Sequence, residues 1–370
     1  MSRAVHNANL IDEDSDSSEF ENEINAFNVC LRKEKTFHPR VNYFEVYDEE
    51  EFVKRFRLTK STVKKVLNEI VDQLKTTTNR NNAISPITQL LLTLRFFATG
   101  NFLITAGDFS GVSIAAAGQI VKRVSYALAS ISYKYIRLPE TSEEKIKLKV
   151  QFYRFARFPK VIGAIDCTHI KVQSPSTEYG ELYRNRKGFF SLNVQALVNV
   201  NMEFMDIVAR WPGSAHDSNI FSNSRLKARM ELPESSDCII LGDSGYALSH
   251  YLMTPLANPI TKAEKLYNES QIRSRNVVER TFGVWKRRFP VLFFGLRLKI
   301  ETTMAVIQSC AILHNIARIE NDPQPTDEIE NIVQLLSNEI VEIEAAIQQQ
   351  NNSVAHAVRT ALINEHFAVL

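Results

Sequence analysis

Three carboxylates stand in three different local settings of this 370-residue chain. Asp166 lies in the apolar, strand-like run VIGAIDCTHIKV (residues 161–172), Asp243 in the turn-like LGDSGY that follows the apolar Cys238–Leu241, and Glu279 in the helix-like NVVERTFGVWKRRF. A carboxylate within an apolar strand must be paired or coordinated, because burying an isolated charge is costly. A salt bridge to a nearby lysine and a metal ion both satisfy that need at Asp166. Asp243 sits one glycine beyond a buried strand, where α/β sheets place functional groups; an aspartate there also bonds its own backbone in an Asx turn. Glu279 flanks the stripe Val278, Phe282, Trp285 and Phe289, which buries one side of a helix and is expected to keep Glu279 out of open water. Arg275, one turn earlier, is spaced to pair with it. A fourth acid, Asp217 in GSAHDSNIF, precedes a helical pattern and suits either a helix N-cap or support of a metal.

With 42 acidic residues in the chain, triples of acids are inevitable, so context must decide. Glu279 is followed by Arg280, Lys286, Arg287 and Arg288, which places a cationic surface beside the candidate acids and suits a polyanion such as DNA. Hard carboxylates without paired histidine or cysteine ligands favour Mg²⁺ or Mn²⁺ over zinc. Two such ions would activate a water and stabilise the leaving 3′ oxygen of a phosphodiester in an in-line displacement. His169, His216 and His314 read as packed or capping residues. Gly242-Asp243-Ser244-Gly245 looks like the nucleophile loop of trypsin-like serine peptidases, but that chemistry comes with a glycine-rich two-barrel chain, and this largely helical one has 12 glycines.

The elements needed to position these acids are legible in outline. Hydrophobic residues make up 44% of the chain, enough at this length for a large core and two folded units, and the net charge is only +2. The acidic, serine-rich residues 11–23 read as a disordered tail. Cys30, Cys167, Cys238 and Cys310 are widely spaced and form no metal module or disulfide framework. The start lacks an apolar leader core and no apolar stretch suits a bilayer, so a soluble intracellular protein without a membrane partner is expected.

Residues 49–75 predict a helix pair with Thr59 or Ser61 as cap, and Ser85-Pro86 opens another helix. A helix, a turn at Gly111 and a second helix over 114–131 carrying Gln119, Lys122 and Arg123 form either a helix-turn-helix unit that binds DNA or an ordinary helical hairpin with a basic surface. From residue 161 the pattern turns to strands: VIGAIDCTHIKV, SLNVQALVNV and EFMDIVARWPG. A helix over 217–230, a short strand CIIL and a long helix from about Asn276 follow, the order of a ribonuclease-H-like α/β fold. Further helices are expected over 303–319, 328–346 and 353–367. The expected division is an acidic tail (1–44), a helical helix-turn-helix-like domain (45–150), a ribonuclease-H-like catalytic domain (151–321) and a C-terminal helical extension (322–370), whose helices would pack on the catalytic domain, dock a partner or self-associate.

The segments GAIDCTHIKV, YRNRKGFFSLNVQALV, WPGSAHDSNIF, LGDSGY, MTPL, AEKLYN, RNVVERTFGVWKRRFPVL and AILHNIA, in this order, resemble the PIF/Harbinger transposases and their domesticated nuclease relatives with a DDE superfamily endonuclease domain. The resemblance spans roughly Glu45 to Asn321. It implies a metal-dependent DNA endonuclease with Asp166, Asp243 and Glu279 as the metal-binding triad, Asp217 as an associated acid, and Arg184, Arg186 and Lys187 near the site. It further implies a Myb/SANT-like DNA-binding companion and action in the nucleus and cytoplasm. Two departures are Cys167, where family members often have glycine, and Asn199, where they often have aspartate; neither removes an expected metal ligand. A domesticated, non-catalytic DNA- or chromatin-associated adaptor is the rival function.

Overall fold

The computed structural model describes residues 41–75, 83–100, 102–175, 178–324 and 353–370. The acidic tail, Cys30 and the helix expected over 328–346 lie outside the described residues.

Among the described residues eight helices precede the first strand: α1 (Tyr43–Val46), α2 (Glu49–Phe56), α3 (Lys60–Leu74), α4 (Pro86–Thr99), α5 (Leu103–Ser110), α6 (Ile114–Ser130), α7 (Ser132–Tyr135) and α8 (Ser142–Ala156). Except at α5 and α7, their starts are set by short polar side chains that accept otherwise unpaired N–H groups. Thr59, rather than Ser61, caps α3 through Thr62 N–H, Ser85 caps α4 through Thr88 N–H with Pro86 in the first turn, and Ser113 caps α6 through Ala116 N–H. Gly111, in the left-handed region at φ 62°, ends α5 and turns the chain into α6. α8 has no clear apolar helical period to mark it in the sequence, and Thr141 and Glu144 form a capping box at its start.

The sheet runs β3–β2–β1–β4–β5, with β1 (Val161–Lys171), β2 (Ser191–Val198), β3 (Phe204–Pro212), β4 (Ile239–Leu241) and β5 (Leu252–Met253). β1 pairs antiparallel with β2 and parallel with β4. The helical stretch expected over 217–230 is two short helices, α9 (Asp217–Ser222) and α10 (Arg225–Met230), broken where Ser224 caps the second. The long helix α11 (Lys262–Arg288) starts well before Asn276, at a capping box of Thr261 and Glu264. It is followed by α12 (Val291–Phe294), α13 (Ile300–Ile319) and α14 (Ser353–Leu362), which ends in a π-helical turn.

The β1–β2 register sorts side chains onto two faces. Ala164, Asp166, Thr168 and Ile170 stand beside Val198, Ala196, Val194 and Leu192, while Ile165, Cys167 and His169 stand beside Leu197, Gln195 and Asn193. The first face joins a large core that also holds Phe52, Phe97, Val124, Trp285 and Ile312, so the early helices, α11 and α13 share one apolar interior with the sheet. The second face packs Ile162, Ile165 and Leu197 against Phe221, Leu226 and Met230 of α9 and α10.

Candidate active site

Asp166 and Asp243 become neighbours through the parallel β1–β4 pairing. Gly163 is opposite Ile240 and Ala164 opposite Leu241, where the pairing ends; Asp166 lies two residues further along β1 and Asp243 two residues past β4, near enough for its charge to act on Asp166. Asp243 Oδ1 accepts the Gly245 N–H at 3.0 Å, so the Asx-turn reading holds and fixes the carboxylate at the strand end. Gly242 O accepts Gln271 Nε2 at 2.7 Å, tying α11 to the same strand end. Gln271 is fully buried, and one turn beyond it Arg275 reaches the acids.

Arg275 makes the link between β1 and Glu279. Its Nη1 donates to Asp166 Oδ2 at 3.2 Å and its Nη2 to Glu279 Oε1 at 2.7 Å. The partner of Asp166 is therefore an arginine of α11 rather than a lysine. Asp166 Oδ1 also accepts the Cys167 N–H at 2.7 Å. Burial, and next the charge of Asp243, push the Asp166 carboxyl up to about 7, against the pull of Arg275. Glu279 is more open than its apolar neighbours implied, with its side chain 51% exposed.

Asp217 is the first residue of α9 and not its cap; His216 holds the cap position and makes no capping bond there. The cap reading is thus corrected, because the Asp217 carboxylate is taken up by Asn193, whose Nδ2 donates to Oδ1 at 2.9 Å and to Ala215 O at 2.9 Å. Beside it Gln195, Cys167 and Tyr246 form a buried polar chain, with Cys167 Sγ 3.4 Å and Gln195 Nε2 3.5 Å from Tyr246 Oη. Burial drives both the Cys167 thiol and the Tyr246 phenol well up, so both stay neutral at physiological pH. His169, held by Ser191 Oγ at 3.0 Å, is pulled down to about 4 by burial and is likewise neutral. Asn193, Gln195 and Tyr246 have no sequence signal of function; β2 brings the first two to Asp217, and the turn after β4 brings Tyr246 to Gln195.

The cationic residues part company. Arg186 is exposed with its guanidinium against the His216 imidazole, next to Asp217, and Lys187 is exposed beside it. Gly213 makes this closeness feasible, since a Cβ there would stand 2.3 Å from Ser191 Oγ and 2.5 Å from Tyr183 O. Arg184 turns to Glu181 at 2.8 Å and to Gly188 O at 2.9 Å. Arg280 is exposed and Arg287 half-buried. Two residues depart from the expected cationic surface. Lys286 is half-buried, with its ammonium turned onto β1 at 2.7 Å from Thr168 Oγ1 and 3.2 Å from His169 O, and burial lowers it to about 8. Arg288 is buried, donating to Arg57 O at 2.7 Å and Pro323 O at 3.0 Å. Lys122 and Arg123 are exposed on α6 along with Gln119, on a different element from the acids.

Among the described residues no three histidine, cysteine, aspartate or glutamate side chains close on one point as they stand. The donors nevertheless fit a hard divalent cation in kind: carboxylate oxygens, two of them on adjoining strands where their charges repel, with an arginine supplying the positive charge.

A mixed sheet of this order, with acids in the middle of its first strand, just past its fourth and on the long helix packed against it, is consistent with a DDE/ribonuclease-H-like domain. Residues 165–315, from β1 through most of α13, match the family model of the DDE superfamily endonucleases. The chain is 36% identical over 243 residues to the Homo sapiens protein named "Putative nuclease HARBI1", covering 65% of this chain and 69% of that one. It is 29% identical over 294 residues to the Xenopus laevis protein of the same name (79% and 83% covered), and 26% identical over 269 residues to the Arabidopsis thaliana "Protein ALP1-like" (68% and 64% covered). The chain belongs to the Harbinger-derived family of DDE superfamily nucleases. No solved structure matches it.

Proposed function

We propose that the protein is a DNA endonuclease that hydrolyses phosphodiester bonds with Mg²⁺ or Mn²⁺ held by Asp166, Asp243 and Glu279, with Asp217 supporting. The observation that carries this reading is the closeness of Asp243, just past β4, to Asp166 of β1, whose carboxyl its charge raises, with Glu279 tethered to Asp166 through Arg275. Two ions of this kind, when bound, supply Lewis-acid charge neutralisation at the attacking and leaving oxygens. The remaining work falls to the chain's own side chains. Arg186 and Lys187, on the loop beside Asp217, position the DNA backbone, and Arg280 and Arg287 extend the same cationic rim along α11. The neutral Cys167, Gln195 and Tyr246 hold the sheet end rigid without adding charge. Lys122 and Arg123 on α6 give a second DNA contact through the helix-turn-helix order of α5 and α6. A Myb/SANT-like companion, self-association and a nuclear and cytoplasmic location belong to the same proposal.

Purified protein incubated with supercoiled plasmid in Mg²⁺ or Mn²⁺ is expected to nick it, and the nicking should vanish with EDTA and in a folded Asp166→Asn variant. One observation favours the rival adaptor: the acids are neutralised by Arg275 rather than gathered. DNA binding without cleavage in either metal would establish that rival.

A further inference from the structure

Arg275 stands at the one place where the acids of β1 and α11 meet, and both ends of its guanidinium are in use. Nη1 takes Asp166 Oδ2 and Nη2 takes Glu279 Oε1, while the side chain is only 19% exposed. The planar, permanently charged fork suits bridging two carboxylates in a way a point charge does not. Gln271, bonded to Gly242 O one turn earlier, fixes the helix register so that the arginine cannot drift from the end of β4. A metal ion takes carboxylate oxygens through the lone pairs that Arg275 N–H groups now occupy. Ion and guanidinium therefore compete as cations for the same two carboxylates, at Asp166 Oδ2 and Glu279 Oε1 directly. The Glu279 end is the weaker one, since that carboxylate is half exposed and screened by water.

We propose that Arg275 is an internal counter-cation that holds Asp166 and Glu279 together in the metal-free protein and must leave both before a divalent ion binds, so that it is a positioning residue that sets metal affinity. The inference rests on the metal-dependent reading of the site. In the free protein the arginine offsets repulsion among the acids; with the ion bound, the ion takes over that duty and the guanidinium is released toward the rim, where Arg280 is already exposed.

The test uses full-length protein without DNA. Mn²⁺ binding is measured by calorimetry, with free Mn²⁺ followed by electron paramagnetic resonance, for wild type, Arg275→Gln, Arg275→Lys and Asp166→Asn. Thermal melts are recorded with and without the ion. Arg275→Gln is expected to bind Mn²⁺ roughly two- to fivefold more tightly than wild type, the scale of one partly exposed ion pair. Arg275→Lys, which keeps the charge but reaches only one acid at a time, should fall between. Without metal, Arg275→Gln should melt below wild type, and saturating Mn²⁺ should close that gap. A folded Arg275→Gln that binds Mn²⁺ no more tightly than wild type overturns the proposal. So does a variant that stays unfolded at saturating Mn²⁺, because the ion ought to replace the lost cation. If wild-type binding is present and lost in Asp166→Asn while Arg275→Gln is unchanged, the counter-cation idea fails and the metal site stands. If no form binds Mn²⁺, both fail.

Discussion

The same substitution at two glycines is expected to move stability in opposite directions. At Gly213, an added Cβ would meet Ser191 Oγ at 2.3 Å, Tyr183 O at 2.5 Å and Ser191 O at 2.9 Å. Two of those three atoms are backbone, so relief requires the turn after β3 to separate from Tyr183 and Ser191, which flank the loop carrying Arg186. Overpacking of this kind costs about 1–3 kcal/mol. At Gly283, inside α11, nothing lies within 4 Å of the added Cβ and the position is exposed. There the gain is the helix propensity of alanine over glycine, about 1 kcal/mol. Gly213→Ala should therefore be less stable than wild type and Gly283→Ala more stable, with about 2–4 kcal/mol between them. Urea denaturation followed by circular dichroism measures both against one wild-type curve. Gly213→Ala should also lose DNA affinity, because the Arg186 loop is displaced. A Gly213→Ala protein as stable as wild type would refute the packing argument, and a destabilised Gly283→Ala would show that its exposed face is covered by something.

Three further outcomes follow from single side chains. Burial raises Asp206 to about 6, so its charge opposes folding increasingly from about pH 4 and fully above pH 6; Asp206→Asn should add up to about 3 kcal/mol at pH 8 and well under 1 kcal/mol at pH 4 by urea denaturation. Arg186→Ala should reduce the salt dependence of DNA binding by about one contact, whereas Lys286→Met, whose ammonium faces Thr168 and His169, should leave that slope unchanged in an anisotropy titration. Thr261→Ala removes half of the capping box of α11 and should cost about 1 kcal/mol of stability in the same denaturation assay.

The parts of the fold visible in the sequence were those written locally. β1 and the stripe Val278, Phe282, Trp285 and Phe289 show in their periods, and Ser85-Pro86 and Gly111 mark helix ends without any long-range contact. α8 and the first half of α11 were overlooked because their surfaces are polar, although Thr141–Glu144 and Thr261–Glu264 announce both starts. β5 is two residues long and has no period to read; it exists through pairing with β4. In the site, the Arg275–Glu279 pair follows from helical spacing, but the reach of Arg275 to Asp166 spans 109 positions and depends on where α11 crosses the sheet. The inward turn of Lys286 and the burial of Arg288 were hidden for the same reason: their neighbours come from β1 and from residues 57 and 323. Asn193 beside Asp217 likewise depends on β2 meeting the start of α9.

A metal site at these acids must touch the bond being broken. Cleavage of a DNA substrate whose scissile 3′ oxygen is replaced by sulfur should be almost abolished in Mg²⁺ and restored in Mn²⁺, which tolerates sulfur, while the unmodified substrate is cut in both and Asp166→Asn cuts neither. Equal cleavage of the two substrates in Mg²⁺, or cutting that survives Asp166→Asn, would contradict a metal site built on Asp166, Asp243 and Glu279.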